Sequence, residues 1–108
     1  MSIRPIEFQI LLTLAREERH GYGIMQEAAR LTGGDVQIEA GTLYRALHRM
    51  LKAGWVAESG RRPAADLDDE RRRYYRLTPL GRRMASAEAE RLARLVGAAR
   101  ANRLLTRV

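Results

Sequence analysis

"GTLYRALHRMLKAG", residues 41–54, is the stretch whose reading decides the fold. Wound at about 100° per residue, it puts Leu43, Leu47, Met50 and Leu51 on one face. Thr42, Arg45, Arg49 and Lys52 fall on the opposite face, His48 and Gly41 flank that basic side, and Tyr44 sits on the border. The apolar face wants a core. The basic face wants something else. Gly54 stands just past the last turn, where a glycine commonly closes a helix.

Upstream, "PIEFQILLTLAREER", residues 5–19, predicts a first helix. Pro5 suits its first position. Phe8, Leu11, Leu12 and Ala15 make a helical stripe that Ile10 and Leu14 widen. "HGYG" then breaks the pattern with two glycines, and "IMQEAARL", residues 24–31, resumes a helix with Ile24, Met25, Ala28 and Leu31 inward. "TGG" at 32–34 stops it, and "DVQI" at 35–38 reads as a short extended piece.

Downstream the character changes. "WVAES", 55–59, and "RRRYYRLT", 71–78, have strand chemistry, the second with Tyr75 and Leu77 on one face and Tyr74 and Arg76 on the other. The polar "GRRPAADLDDE" between them predicts a hairpin loop. Thr78-Pro79 is a helix start, a capping hydroxyl followed by a first-turn proline. From there to about Leu105 only Gly97 interrupts. Ala85, Ala89, Leu92, Val96 and Ala99 recur at spacings of four, three, four and three, the stripe of a coiled-coil seam. The expected architecture is mainly α with a small β hairpin: a winged helix-turn-helix over 1–78 and a long C-terminal dimerisation helix over 79–108, in one structural unit.

The 108 residues, 45% of them apolar, suffice for one domain and one core. There is no cysteine, hence no disulfide framework or thiolate metal site. His20 and His48 are too far apart for a local metal motif, His20 reading as a cap or turn residue and His48 as a surface one. The start "MSIRPIEFQI" has no signal-peptide pattern, and no apolar run approaches a membrane span. These features predict a cytoplasmic protein with no metal, cofactor or membrane partner. Net charge is +7, from nineteen arginines and one lysine against thirteen acids. The excess is uneven: −1 over residues 1–38, +1 over 39–60, +2 over 61–78 and +5 over 79–108.

Two helices joined through a glycine-containing turn, the second with a basic face, followed by a hairpin, point to a winged helix-turn-helix. Its second helix can enter a major groove, where arginine pairs with guanine edges. Thr42 lies near the start of that helix, where hydroxyl and backbone N–H groups meet phosphate oxygens.

"HGYGIMQE", "GTLYRALHRML" and "RRRYYRLTPLGRR" together resemble the PadR family of bacterial transcriptional regulators, in order from about residue 8 to residue 83. The resemblance implies a winged helix and a homodimer held by the last helix, with the first helix joining in. It implies an inverted-repeat operator, often with ATGT and ACAT half-sites, read by two recognition helices about 34–36 Å apart. Carried over by position, Tyr22, Thr42 and Tyr44 would contact backbone or bases, with Arg45, His48, Arg49 and Lys52 following on the exposed face. Arg71, Arg72 and Arg73 would sit where the wing leans on the adjacent groove. Phe8, Leu11, Ala85, Ala89, Leu92, Val96 and Ala99 would form the dimer contact. The acidic wing tip (Asp66, Asp68, Asp69, Glu70) departs from this pattern, since acids are repelled by the minor groove, and that shifts the expected phosphate contact to the arginine stems. The chain stops soon after the long helix, which suggests a short form lacking a larger C-terminal effector domain. Phenolic or hydrophobic drug-like effectors fit the resemblance, but the last helix carries no aromatic residue to sandwich a flat ligand.

Two other classes compete. An enzyme would need a nucleophile, a tuned acid–base pair or a phosphate loop, and the sequence has no such pattern. A winged-helix module binding an acidic protein partner would use the same basic tail, and it predicts weak, sequence-independent DNA binding.

Overall fold

The computed structural model describes residues 2–59 and 73–105. Seven elements follow in chain order: α1 (Pro5–Thr13), β1 (Arg19–His20), α2 (Gly21–Leu31), α3 (Ala40–Ala53), β2 (Val56–Glu58), β3 (Tyr74–Leu77) and α4 (Pro79–Ala101). The predicted three helices, hairpin strands and long last helix are all present.

Helix α1 ends at Thr13, six residues before the expected end. The "AREER" segment has only Ala15 to bury, and two arginines take up the carbonyls freed there. Arg19 Nε donates to the Thr13 carbonyl at 2.7 Å and Arg82 Nη2 donates to the Ala15 carbonyl at 2.7 Å. The chain then straightens into β1, a strand of two residues that sequence patterning did not reveal. It pairs antiparallel with β3, Arg19 opposite Tyr75 and His20 opposite Tyr74. The wing is therefore a three-stranded sheet in the order β1-β3-β2, with Val56 opposite Leu77 and Glu58 opposite Tyr75.

"HGYG" starts α2 rather than separating helices. His20 is the N-cap, and its Nδ1 accepts the Gly23 N–H at 3.0 Å. Ile24 and Ala28 of α2 are buried, whereas Leu31 is exposed, contrary to its expected inward position. Gly33 and Gly34 carry φ of +63° and +92°, conformations that end the helix and that other residues adopt at a cost. Residues 35–38 form no strand; Ile38 turns into the core, and the Val36 N–H is held by Thr32 Oγ1 at 2.9 Å.

Ile10, Leu11, Leu14, Ile24, Leu43, Leu47, Met50, Trp55, Val56 and Tyr75 form one core shared by α1, α2, α3 and the wing. As expected, Trp55 packs where the wing begins and Tyr75 is the buried member of its tyrosine pair. Gly54 ends α3 with φ of +81°. Helix α4 is tied on at once: the Thr78 N–H donates to the Trp55 carbonyl at 3.1 Å, and Thr78 Oγ1 donates to the Gly54 carbonyl and accepts from the Gly81 N–H at 3.0 Å. Beyond Glu88, α4 runs largely exposed along a molecule 55 Å in its longest extent.

Candidate nucleic-acid interface

The outward face of α3 is narrower than its charge pattern suggested. Gly41, Arg45, His48 and Lys52 are exposed, and on a helical wheel they cluster within about 60°. Thr42 and Arg49 lie at the edge of this group, on the side toward Ala46, and both are half-buried. The Arg45 guanidinium folds toward the helix start, with Nη2 3.4 Å from Thr42 Oγ1. His48, Arg49, Lys52 and Ala53 line a shallow depression at the other end.

Tyr22 is 61% exposed at the start of α2, and its ring stacks on His20 with centroids 6.5 Å apart. His20 also meets Tyr74 of the wing edge-on at 5.3 Å. One imidazole thus caps α2, backs Tyr22 and touches β3. Tyr44 is half-buried against α2: a Cβ on Gly21 would stand 2.3 Å from its hydroxyl oxygen, so Gly21 leaves the space this ring occupies. Tyr44 thereby joins α3 to the start of α2, next in sequence to Tyr22, while Arg45 leans on Thr42 within α3.

Arg49 is directed elsewhere. Its guanidinium faces α1, where Nε donates to Glu7 Oε2 at 2.5 Å. Glu7 is 1% exposed, a buried carboxylate that the sequence reading did not single out. A signal was available: Glu7, Leu11 and Leu14 share the helical stripe that faces the core, and a carboxylate there requires a cation. On the wing, Arg73 Nη1 lies 3.7 Å from Glu58 Oε2. Arg71, Arg72 and the acidic tip fall outside the described residues.

The expected dimer residues divide. Leu11 is a correction: it is fully buried in the chain's own core and has no surface to offer a partner. Phe8 is half-buried, and the exposed apolar residue of α1 is Leu12. Ala85 packs on the chain's own core. Farther along α4, Ala89 and Val96 are exposed and Leu92 and Ala99 are half-buried, with Leu95 and Leu104 exposed nearby. Among the described residues no group of His, Asp or Glu could hold a metal ion, and no helix is long and apolar enough to cross a membrane.

Comparison with known proteins agrees with this arrangement. The structure resembles a transcriptional regulator from Clostridium thermocellum, with TM-score 0.72 and 25% identity over 94% of this chain and 93% of that one. A PadR family transcription regulator from Clostridium difficile gives TM-score 0.73 and 23% identity, covering 94% and 98% of the two chains. Bacillus subtilis PadR, solved in complex with operator DNA, shares the fold with TM-score 0.69 and 20% identity over 80% of this chain and 47% of that chain. An uncharacterized protein of Lysinibacillus sphaericus is 35% identical over 80 residues, a match spanning 68% of this chain and 64% of the relative. Residues 10–87 match the Transcriptional regulator PadR-like family, and the protein belongs to that family.

Proposed function

We propose that this protein is a cytoplasmic, homodimeric repressor that binds an inverted-repeat operator through α3. The observation that carries this reading is the exposed row Arg45, His48 and Lys52 on α3, together with exposed Tyr22 at the start of α2, the helix end against which Tyr44 of α3 rests. Tyr22 and Thr42 set the register on phosphates, Arg45 and His48 read base edges with help from Tyr44, and Lys52 adds a phosphate contact. Arg71, Arg72 and Arg73 supply wing contacts to the backbone. The stripe of α4, with Ala89 and Val96 exposed and Leu92 and Ala99 half-buried, supports a two-fold contact between last helices, which Phe8 of α1 would join. Residues 1–78 then act as the DNA-binding part and 79–108 as the dimerisation helix. The DNA complex of Bacillus subtilis PadR supports the choice of nucleic acid as partner, since its fold is shared.

The test is selection of random duplexes by the purified protein, with affinity for the winners followed against salt. An enriched inverted repeat, held far above random DNA at moderate salt, supports the reading. Arg45→Ala should then weaken that operator about 5- to 150-fold and relax preference at one base pair. Binding without enrichment, vanishing as salt rises, would refute it and favour an acidic protein partner.

A further inference from the structure

Glu7 sits at the centre of a small polar cluster inside an otherwise apolar contact between α1 and α3. Its Oε1 accepts the Arg4 N–H at 2.8 Å. Its two oxygens face Arg49, Oε2 at 2.5 Å from Nε and Oε1 at 3.4 Å from Nη2. Arg49 Nη2 also donates to the Ser2 carbonyl at 3.3 Å, and the guanidinium lies over Trp55, 5.9 Å from the ring centroid. Three other parts of the chain thus meet one side chain of α3: the residues before α1, α1 itself and the start of the wing.

Releasing Arg49 to reach DNA would strand a carboxylate that is 1% exposed, an uncompensated charge in an apolar site. The same attraction acts on the arginine. The hydrogen bond it donates to Glu7 raises its pKa, burial opposes this, and charge attraction adds to it. Rolling α3 is no easier. Turning it by the about 70° that separates Arg49 from the centre of the outward face would lift the buried Ala46 and Met50 off the core.

We propose that Arg49 is a positioning residue and not a base reader: Glu7, Ser2 and Trp55 hold its guanidinium, and through it they set the rotation at which α3 presents Arg45, His48 and Lys52. This rests on α3 being the DNA-reading helix. It makes residues 2–4 and α1 part of the recognition apparatus, although neither belongs to the outward face.

The experiment follows arginine Nε–H resonances in the intact protein, free and bound to its selected operator, alongside binding by Glu7→Gln, Arg49→Lys and the double variant. The free protein should show a slowly exchanging Nε–H signal that Arg49→Lys removes and Glu7→Gln collapses, and operator should leave it in place. Both single variants should weaken the operator by a common factor of roughly 2- to 30-fold, as expected for residues that act at a distance. The double variant should be no weaker than either, and the selected base sequence and salt slope should not change. The proposal is overturned if operator shifts the Arg49 signal away. It is equally overturned if Arg49→Lys changes preference at one base pair, or lowers the salt slope by about one, while Glu7→Gln leaves binding intact. If Glu7→Gln does not fold, the wild-type signal in the operator complex decides. If the wild type selects no operator, the recognition reading fails by itself, and the Nε–H signal of the free protein still supports or overturns the hold of Glu7 on Arg49.

Discussion

Replacing Gly81 with alanine should destabilise the protein, although in an ordinary helix the same change stabilises. An added Cβ would stand 1.9 Å from the Trp55 carbonyl oxygen, 2.8 Å from its carbon and 3.1 Å from Leu77 Cδ1. Non-bonded heavy atoms settle about 3.5 Å apart, so α4 and the Trp55 backbone must separate by about 1.5 Å. The neighbour is backbone and cannot swing aside. That shift breaks the 3.1 Å bond from the Thr78 N–H to the same carbonyl. The lost bond and its stranded carbonyl cost about 1–3 kcal/mol, overpacking adds about 1–3 kcal/mol, and the helix-propensity gain returns about 1 kcal/mol. The net loss is about 1–5 kcal/mol, at roughly 4–8 °C in Tm for each kcal/mol in a domain of about this size. Gly97→Ala is the matched control, because nothing lies within 4 Å of its added Cβ. It should gain up to about 1 kcal/mol. Both are measured by thermal and urea unfolding at one protein concentration, since dimerisation would make Tm depend on it. A Gly81→Ala protein as stable as wild type, with Gly97→Ala behaving as expected, would refute the close approach of α4 to Trp55.

Three further outcomes are expected. His20→Ala should cost about 1 kcal/mol by uncapping α2, and His20→Asn should restore most of it; equal stability of all three proteins would dismiss the cap. Leu92→Glu with Val96→Glu should weaken both dimerisation in sedimentation and operator binding, whereas Leu11→Ala should lower stability by about 2–5 kcal/mol through the monomer core; a stable dimer in the double variant would place the interface elsewhere. Glu88 is held below its ordinary value of 4.5 chiefly by hydrogen bonds from Arg91, with burial opposing and charge attraction adding. A lowered carboxylate contributes stability that is present above 4.5 and lost as pH falls through the lowered value. Wild type should therefore exceed Glu88→Gln in Tm near neutral pH and converge with it in acid; a constant difference would rule the pair out as the cause.

Much of this molecule is legible in the sequence because its signals are local. The apolar period of α3, Gly54 after it, Thr78-Pro79 before α4 and the alternation of "YYRL" each depend on a few neighbouring residues, and each is realised. The outward positions of Arg45, His48 and Lys52 follow from the same period. Tertiary structure decided what depended on distant partners. β1 exists only because β3 lies beside it, and α1 stops at Thr13, where Arg19 takes its last carbonyl and Arg82 takes that of Ala15 just beyond. Leu11 serves the core because three helices converge there, which a single-helix wheel cannot show. The fate of Arg49 is the sharpest case: its charge and wheel position suit a DNA contact, but a carboxylate 42 residues earlier is buried within reach of it. Sequence fixes a side chain's charge and its angle around a helix axis; which opposite charge has been removed from water nearby is settled only when the helices pack.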